Sequence, residues 1–411
     1  MRRPREALAA GLGFLGRLPR EWIVTASRTS IHRFLYQMIL PYLSIYTIGL
    51  GATGADLGLV NSAGMVVAAL ASPYVGTMVD RIGPKAIYLL GIALLGLSWL
   101  VYGLASSWPA IIAAMILYYL GYRMSGHCCS TVCANSLARA DRATAMSCCE
   151  TLAAGLLGIV GPLLGAFLVS RRGGVGVEAI RPLFFLCLAG TAASFLLVLL
   201  CLPGRARGGP GLGRAPFLAE TAGVFRHGRK LGRFIVVSVV AQLPQGMIIP
   251  FTQPYAATKG ADGFVLGAMV TGFALTPLLL GIPAGRLADR IGRKKTIFLV
   301  APLFWASCLL LVLAEGPVAM ILAGVLQGTF FITGVVTAAL QFELVEPGYI
   351  GRWLGVLGFF QMLVSAIVAY ASGLVWDRLG PQYIFLIPIL LDLLVRLPLL
   401  AGLPEPRPEA A

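Results

Sequence analysis

The chain has 411 residues, 58% of them apolar and 12% charged, whereas an ordinary soluble domain runs about 45–50% apolar and about 25% charged. So little charge cannot cover a water-facing surface, which excludes a soluble enzyme or a nucleic-acid-binding protein in spite of 32 Lys and Arg against 17 Asp and Glu. The excess base is expected on one face of a lipid bilayer, and the apolar share rules out a disordered chain.

A bilayer core about 30 Å thick takes a helix of roughly 20 apolar residues, because only a helix satisfies its own backbone in hydrocarbon. Residues 1–30 carry Arg2, Arg3 and Arg5 ahead of the apolar stretch Ala7–Gly16, which imitates a signal peptide. Arg17, Arg20 and Arg28 follow without a small-residue cleavage site, so this segment reads as cytoplasmic and surface-lying. A first bundle is expected over 31–202, with spans at 34–55, 57–79, 86–105, 109–137, 151–170 and 183–204; Ser106, Ser107, Trp108 and Pro109 break the run between the third and fourth. Residues 203–233, rich in Gly and Pro and holding seven basic residues, read as a flexible cytoplasmic linker. A second bundle over 234–402 is expected to span at 234–258, 263–285, 296–314, 316–342, 353–376 and 383–402, leaving a tail at 403–411. With the N-terminus cytoplasmic, 26 of the 32 Lys and Arg fall on cytoplasmic segments, five on external loops and one mid-span. That positive-inside pattern puts both termini in the cytoplasm of a multi-pass protein of an inner or plasma membrane. The fold class is all-α integral membrane, twelve transmembrane helices as two pseudo-symmetric six-helix bundles.

The two bundles align at a constant offset of 209: Pro41 with Pro250, Leu57-Gly58 with Leu266-Gly267, Gly76 with Gly285, and Asp80-Arg81-Ile82-Gly83 with Asp289-Arg290-Ile291-Gly292. An offset held over so many residues marks two parallel repeats. The segments GTMVDRIGPK (76–85) and GRLADRIGRK (285–294) resemble the GxxxDRxGR[RK] loop of the major facilitator superfamily, once per half between helices 2–3 and 8–9. Gly161-Pro162-x-x-Gly165 on helix 5 is similar to the core of that superfamily's antiporter motif, although Leu157 and Cys148 stand where glycines are expected. Leu326-Gln327-Gly328 resembles the LQG piece of its helix 4 motif.

The resemblance implies that Asp80 and Asp289, with Arg81, Gly83, Lys85, Arg290, Gly292 and Arg293 around them, form a cytoplasmic gate. Each acid would then pair with the positive N-terminal end of a helix from the other half. Gly76 and Gly285, lacking a Cβ, would let a neighbouring helix approach. Pro84 stands where Arg is expected, so the first copy is wired differently from the second.

Arg123 lies 14 residues from each end of helix 4, and a charge at that depth costs about 2.5–3.5 kcal/mol on insertion scales, so it is expected to face a cavity and bind an anionic group or a coupling carboxylate. His127 falls one turn on. Tyr36 and Gln37 on helix 1, Gln245 on helix 7 and Gln361 on helix 11 complete the expected substrate cavity; Tyr118, Tyr119 and Tyr122 add aromatic wall. The resemblance implies that helices 1, 4, 7 and 10 line that cavity. Asp392 and Arg396, one turn apart on helix 12, read as a structural ion pair. Cys128, Cys129, Cys133, Cys148 and Cys149 cluster on helices 4 and 5; they serve either as small apolar residues at a tight interface or, without any C-x-x-C spacing, as ligands for a soft metal.

The leading expectation is a monomeric secondary transporter, without cofactor and not an enzyme, working by alternating access on a small-molecule substrate. The resemblance of the helix 5 motif implies proton-coupled efflux, although helix 1 carries no acid to couple it. An uptake symporter or facilitator, a soft-metal or metalloid exporter, and a non-transporting membrane sensor or scaffold are the alternatives.

Overall fold

A computed structural model describes residues 19–136, 157–203, 229–344 and 350–403. Among the described residues the chain forms twelve helical rods. In the first half these are α1 (Arg20–Ile39, continued through a 3-10 turn Leu40–Tyr42 into Leu43–Gly49), α2 (Gly54–Ile82), α3 (Pro84–Leu104), α4 (Pro109–Ser136), α5 (Leu157–Ser170) and α6 (Val177–Cys201). In the second half they are α7 (Arg229–Met247 with Ile249–Thr258), α8 (Gly263–Ile291), α9 (Arg293–Leu313), α10 (Pro317–Gln327 with Thr329–Leu344), α11 (Ile350–Arg378) and α12 (Tyr383–Leu391, a π turn Asp392–Arg396, then Leu397–Ala401). Nine helices among the described residues are long and apolar enough to cross a membrane, and α5 is a shorter apolar one there.

The repeat seen in the sequence recurs in the backbone. α2 and α8 have bounds 209 apart, as do α3 and α9. Both helix pairs join at a glycine with positive φ, Gly83 (96°) and Gly292 (99°), a region closed to side chains with a Cβ. Thr53 and Asp262, again 209 apart, cap α2 and α8 by accepting from the amides of Asp56 and Val265.

The loop lysines are used the same way in each half. Lys85 Nζ donates to the carbonyls of Leu199 and Leu202 at the end of α6, at 2.8 and 2.5 Å. Lys294 Nζ donates to those of Ala401 and Leu403 at the end of α12. A cation there satisfies orphan carbonyls and meets the negative end of the helix dipole. These contacts define one pole of the molecule, the linker pole. At the far pole the ends of α3 and α9 are capped in turn. Arg181 Nη2 and Tyr46 Oη donate to Ala105 O at 3.0 and 3.5 Å, and Lys259 Nζ donates to Ala314 O at 3.0 Å.

In hydrocarbon, helices gain little from hiding apolar surface and associate through close packing. Two equivalent glycine pairs supply that packing between the halves. Gly54 and Gly58 on α2 lie against α11, where a Cβ on Gly58 would stand 2.5 Å from Ala369 O. Gly263 and Gly267 on α8 lie against α5, where a Cβ on Gly267 would stand 2.9 Å from Pro162 O. Outward faces remain apolar, with Leu200, Leu313 and Leu394 more than 70% exposed; a bilayer solvates them, water would not.

The structure corrects one boundary. α1 begins at Arg20, and Trp22, Val24, Thr25, Arg28 and Thr29 are buried. The second part of the expected surface segment 1–30 is therefore part of the first bundle.

Candidate functional site

α1 and α7 are each broken at mid-length where a proline removes a backbone donor: at Leu40–Tyr42 around Pro41, and between Met247 and Ile249 ahead of Pro250. α10 is interrupted at Gly328, where a Cβ would stand 2.5 Å from Thr276 Cβ on α8. Around these breaks lies a cavity between the two halves, enclosing about 890 Å³ when its open mouth is counted.

Its walls obey the repeat. Tyr36 and Gln245, Ser44 and Gln253, Asn61 and Val270, Met115 and Gly324, Tyr118 and Gln327 all line the cavity, and each pair is 209 apart. The first half presents aromatic rings: Tyr36 stacks on Tyr118 with centroids 5.4 Å apart and planes at 15°. Trp99 meets Tyr118 at 5.4 Å, and Tyr119 stands edge-on to Tyr118 at 5.7 Å. The second half presents amides and a hydroxyl. Gln327 Nε2 lies 3.4 Å from Thr252 Oγ1, which donates to Ile248 O at 3.0 Å. Among the described residues that line it, none is charged.

Above the cavity the far pole is closed by contacts between the halves. The Asp377 carboxylate, at the end of α11, accepts from the amides of Gly54 and Ala55 at 2.9 and 2.8 Å, so an acid of one half caps a helix of the other. Tyr42 Oη donates to Gly263 O at 3.0 Å. At mid-depth Thr271 Oγ1 donates to Ile159 O at 3.2 Å, from α8 to α5. Toward the linker pole, Gly281 and Gly285 of α8 have nothing among the described residues within 4 Å of where a Cβ would stand.

Of the residues expected in the cavity, Tyr36 and Gln245 line it, with Tyr118 and Tyr119. Three others do not. Arg123, one turn from Tyr119, turns toward α11, its Nη2 2.7 Å from Met362 Sδ and its Nε buried without a partner. Gln37 packs on α5 beside Gly158 and Gly161, with its Oε1 buried and unpartnered. Gln361 Nε2 is 3.3 Å from Ser238 O, tying α11 to α7. Tyr122 stacks on Tyr118 at 6.1 Å, outside the lining.

In the expected gate motif, Asp289 and Arg290 are exposed, and the segment 137–156 that leads into α5 of the other half lies outside the described residues. Among the described residues no neighbour approaches Gly285. The side chains of Asp80, Arg81 and His127 and the surroundings of Gly76 fall outside the described residues, as do Cys148, Cys149 and the Cys133 side chain. Cys128 is buried and Cys129 Sγ lies 3.7 Å from Thr29 Oγ1. On α5 the motif glycines serve packing inside the first half, since a Cβ on Gly165 would stand 2.2 Å from Met38 O and one on Gly161 2.8 Å from Phe34 O. Asp392 and Arg396 pair at 3.1 Å and are buried, and Trp305 Nε1 donates to Asp392 at 3.0 Å. Sequence reasoning missed Gln253, Trp99 and Asp377. The offset that pairs Ser44 with Gln253 was a usable signal for the first.

A family model described as Major Facilitator Superfamily matches residues 29–241 and 234–411. The chain belongs to the Major Facilitator Superfamily. Among curated relatives, the multidrug resistance protein MdtG of Escherichia fergusonii is 26% identical over 289 residues, 67% of each chain. That of Citrobacter koseri is 26% identical over 275 residues, 64% of each chain. Among solved structures, the D323A mutant of the nucleoside transporter NupG superposes with a TM-score of 0.79 at 14% identity, covering 93% of this chain and 99% of that one. The human organic anion transporter MFSD10 does so with a TM-score of 0.63 at 19% identity, covering 93% and 99%. The twelve-helix fold of this facilitator, and with it a multi-pass membrane transporter, follows.

Proposed function

We propose that this facilitator exports a small molecule from the cytoplasm across the inner or plasma membrane, as a monomer, by proton-coupled alternating access. The observation that carries the reading is a cavity built by equivalent positions of both halves, roofed at the far pole by contacts between them. A site at a repeat interface, closed on one side, is the arrangement that rocking of the halves exposes alternately. The basic turns around Lys85 and Arg293–Lys295 lie at the linker pole, which the positive-inside rule makes cytoplasmic. In that orientation the closed side is external. Likeness to multidrug resistance proteins favours export over uptake. Asp80 and Asp289 become gate residues in the opposite conformation, when the linker pole closes.

Inverted vesicles with an acidified lumen and an entrapped pH dye test this. The panel holds uncharged, anionic and cationic aromatic compounds, with copper(I) and arsenite added to probe the thiols. The expected result is lumen alkalinisation driven by at least one aromatic compound and absent from vesicles lacking the protein. Proton movement only in right-side-out vesicles would reverse the direction, and substrate flux without proton movement would remove the coupling.

A further inference from the structure

The cavity combines three features that together restrict its ligand. The first is the absence of charge: among the described residues that line it, the polar groups are amides, hydroxyls and one indole. An ion moved there loses its water and finds no counter-charge, which is costly. The Arg123 guanidinium, one turn beyond Tyr119, is turned away to Met362 on α11 and stands outside the lining, so it offers an anion no contact there.

The second feature is the stacked wall. Tyr36, Tyr118 and Trp99 present near-neighbouring rings on the first half, a surface that favours a flat ring over a branched chain. The third is a pair of unmet hydrogen-bonding atoms. Trp99 is 1% exposed and its Nε1–H is buried with no acceptor. Gln253 Oε1 is buried with no donor. Both residues line the cavity, one from each half. Leaving such atoms unmet is unfavourable, so the site is selective for whatever supplies an acceptor to one and a donor to the other.

We infer that the cavity takes an uncharged, flat, ring-bearing molecule whose polar edge carries an acceptor and an N–H or O–H donor, as a carboxamide or lactam does. The ring lies on the tyrosine and tryptophan wall, and the polar edge meets Trp99 Nε1 and Gln253 Oε1. This inference rests on the cavity being the transport site, yet it predicts binding separately from movement.

The test uses the purified full chain in lipid nanodiscs and titration calorimetry with four probes of one shape: 2-naphthamide, 2-naphthoate, 2-(aminomethyl)naphthalene as its ammonium ion, and 2-methylnaphthalene. The expected order has 2-naphthamide binding at least about tenfold more tightly than either ion. Either ion binding as tightly as the amide overturns the inference. Gln253→Leu and Trp99→Phe should each weaken 2-naphthamide by about 5- to 30-fold, the range for one buried hydrogen bond, and should each weaken it more than they weaken 2-methylnaphthalene. An unchanged amide affinity in both variants also overturns it, and the probe series on the unaltered protein decides the matter if a variant fails to fold. Amide-selective binding without flux in vesicles would defeat the transport reading and leave this assignment standing. Flux confined to an ion would do the reverse.

Discussion

The contact that roofs the cavity should be separable from the fold, and Asp377→Ala is the substitution that isolates it. The Asp377 carboxylate receives two backbone N–H groups of the other half, at 2.9 and 2.8 Å. The site lies on the rim and is solvent-exposed, so water replaces part of what is lost. Two charge-assisted bonds discounted for that exposure amount to about 1–3 kcal/mol. In the rocking proposed above these bonds break when the far pole opens, so the whole amount bears on the balance between conformations. That balance should shift about 5- to 150-fold toward an open far pole. Asp377→Asn, which keeps an acceptor and loses the charge, should fall between.

Spin labels on Ser106→Cys and Glu315→Cys, in a background without the native cysteines, give the readout. Both positions are exposed, sit on equivalent far-pole loops 209 apart, and belong to different halves. Pulsed distance measurements should show one short-distance population in the parent, and a growing long-distance one through Asn to Ala. Tyr42→Phe, which removes the bond to Gly263 O, should move the same equilibrium by about fivefold. Identical distance distributions in the parent and in Asp377→Ala would refute the argument that this carboxylate holds the pole shut.

Gly165→Ala should sharply lower the thermal unfolding temperature in detergent, because its Cβ would stand 2.2 Å from Met38 O, while Gly281→Ala, with none of the described residues within 4 Å, should leave it unchanged. Lys294→Met should cost about 1–2 kcal/mol by leaving the α12 carbonyls without their cation, and Lys85→Met should match it at the end of α6; unequal denaturation midpoints would break the equivalence of the two halves. Arg123→Ala should leave 2-naphthamide affinity within about threefold, since its guanidinium faces Met362 rather than the cavity, and a calorimetric loss beyond tenfold would return it to the site. Arg396→Met should destabilise by about 3–5 kcal/mol by stranding the Asp392 carboxylate in the interior, and pairing it with Asp392→Leu should recover most of that in the same melting assay.

Helix count, the two-bundle division and the repeat were legible because lipid imposes length and apolarity on every span, and because duplication leaves a countable offset. Depth along a helix was also legible: Arg123 sits one turn from the cavity wall. The direction it faces was not, because rotation about a helix axis is set by how its neighbours pack. Gln253 was hidden for a related reason. On a straight helix Gln245 and Gln253 point about 80° apart, but the break ahead of Pro250 re-aims the second segment and both reach one cavity. Asp377 read as an ordinary loop acid because its partners are backbone amides 323 and 322 residues away, and no side-chain pattern announces those. Helix 1 was drawn too short because Arg20 and Arg28 look like surface residues until Tyr88 is seen to lie under the Arg28 guanidinium at 5.2 Å.

The two halves keep what the backbone needs and differ in what the ligand meets. Gly83 and Gly292 match because only glycine takes that turn, and Lys85 and Lys294 match because each must cap a helix end. A cavity with matching side chains would be symmetric, and one orientation of a bound molecule would be no better than its reverse. Tyr36 against Gln245, Tyr118 against Gln327 and Ser44 against Gln253 break that symmetry while leaving the positions in register. The roof is asymmetric too, since Asp377, which caps a helix of the other half, has Leu168 as its counterpart 209 residues earlier. In the proposed rocking, opening the far pole breaks a charged cap between Asp377 and α2 that position 168 cannot duplicate.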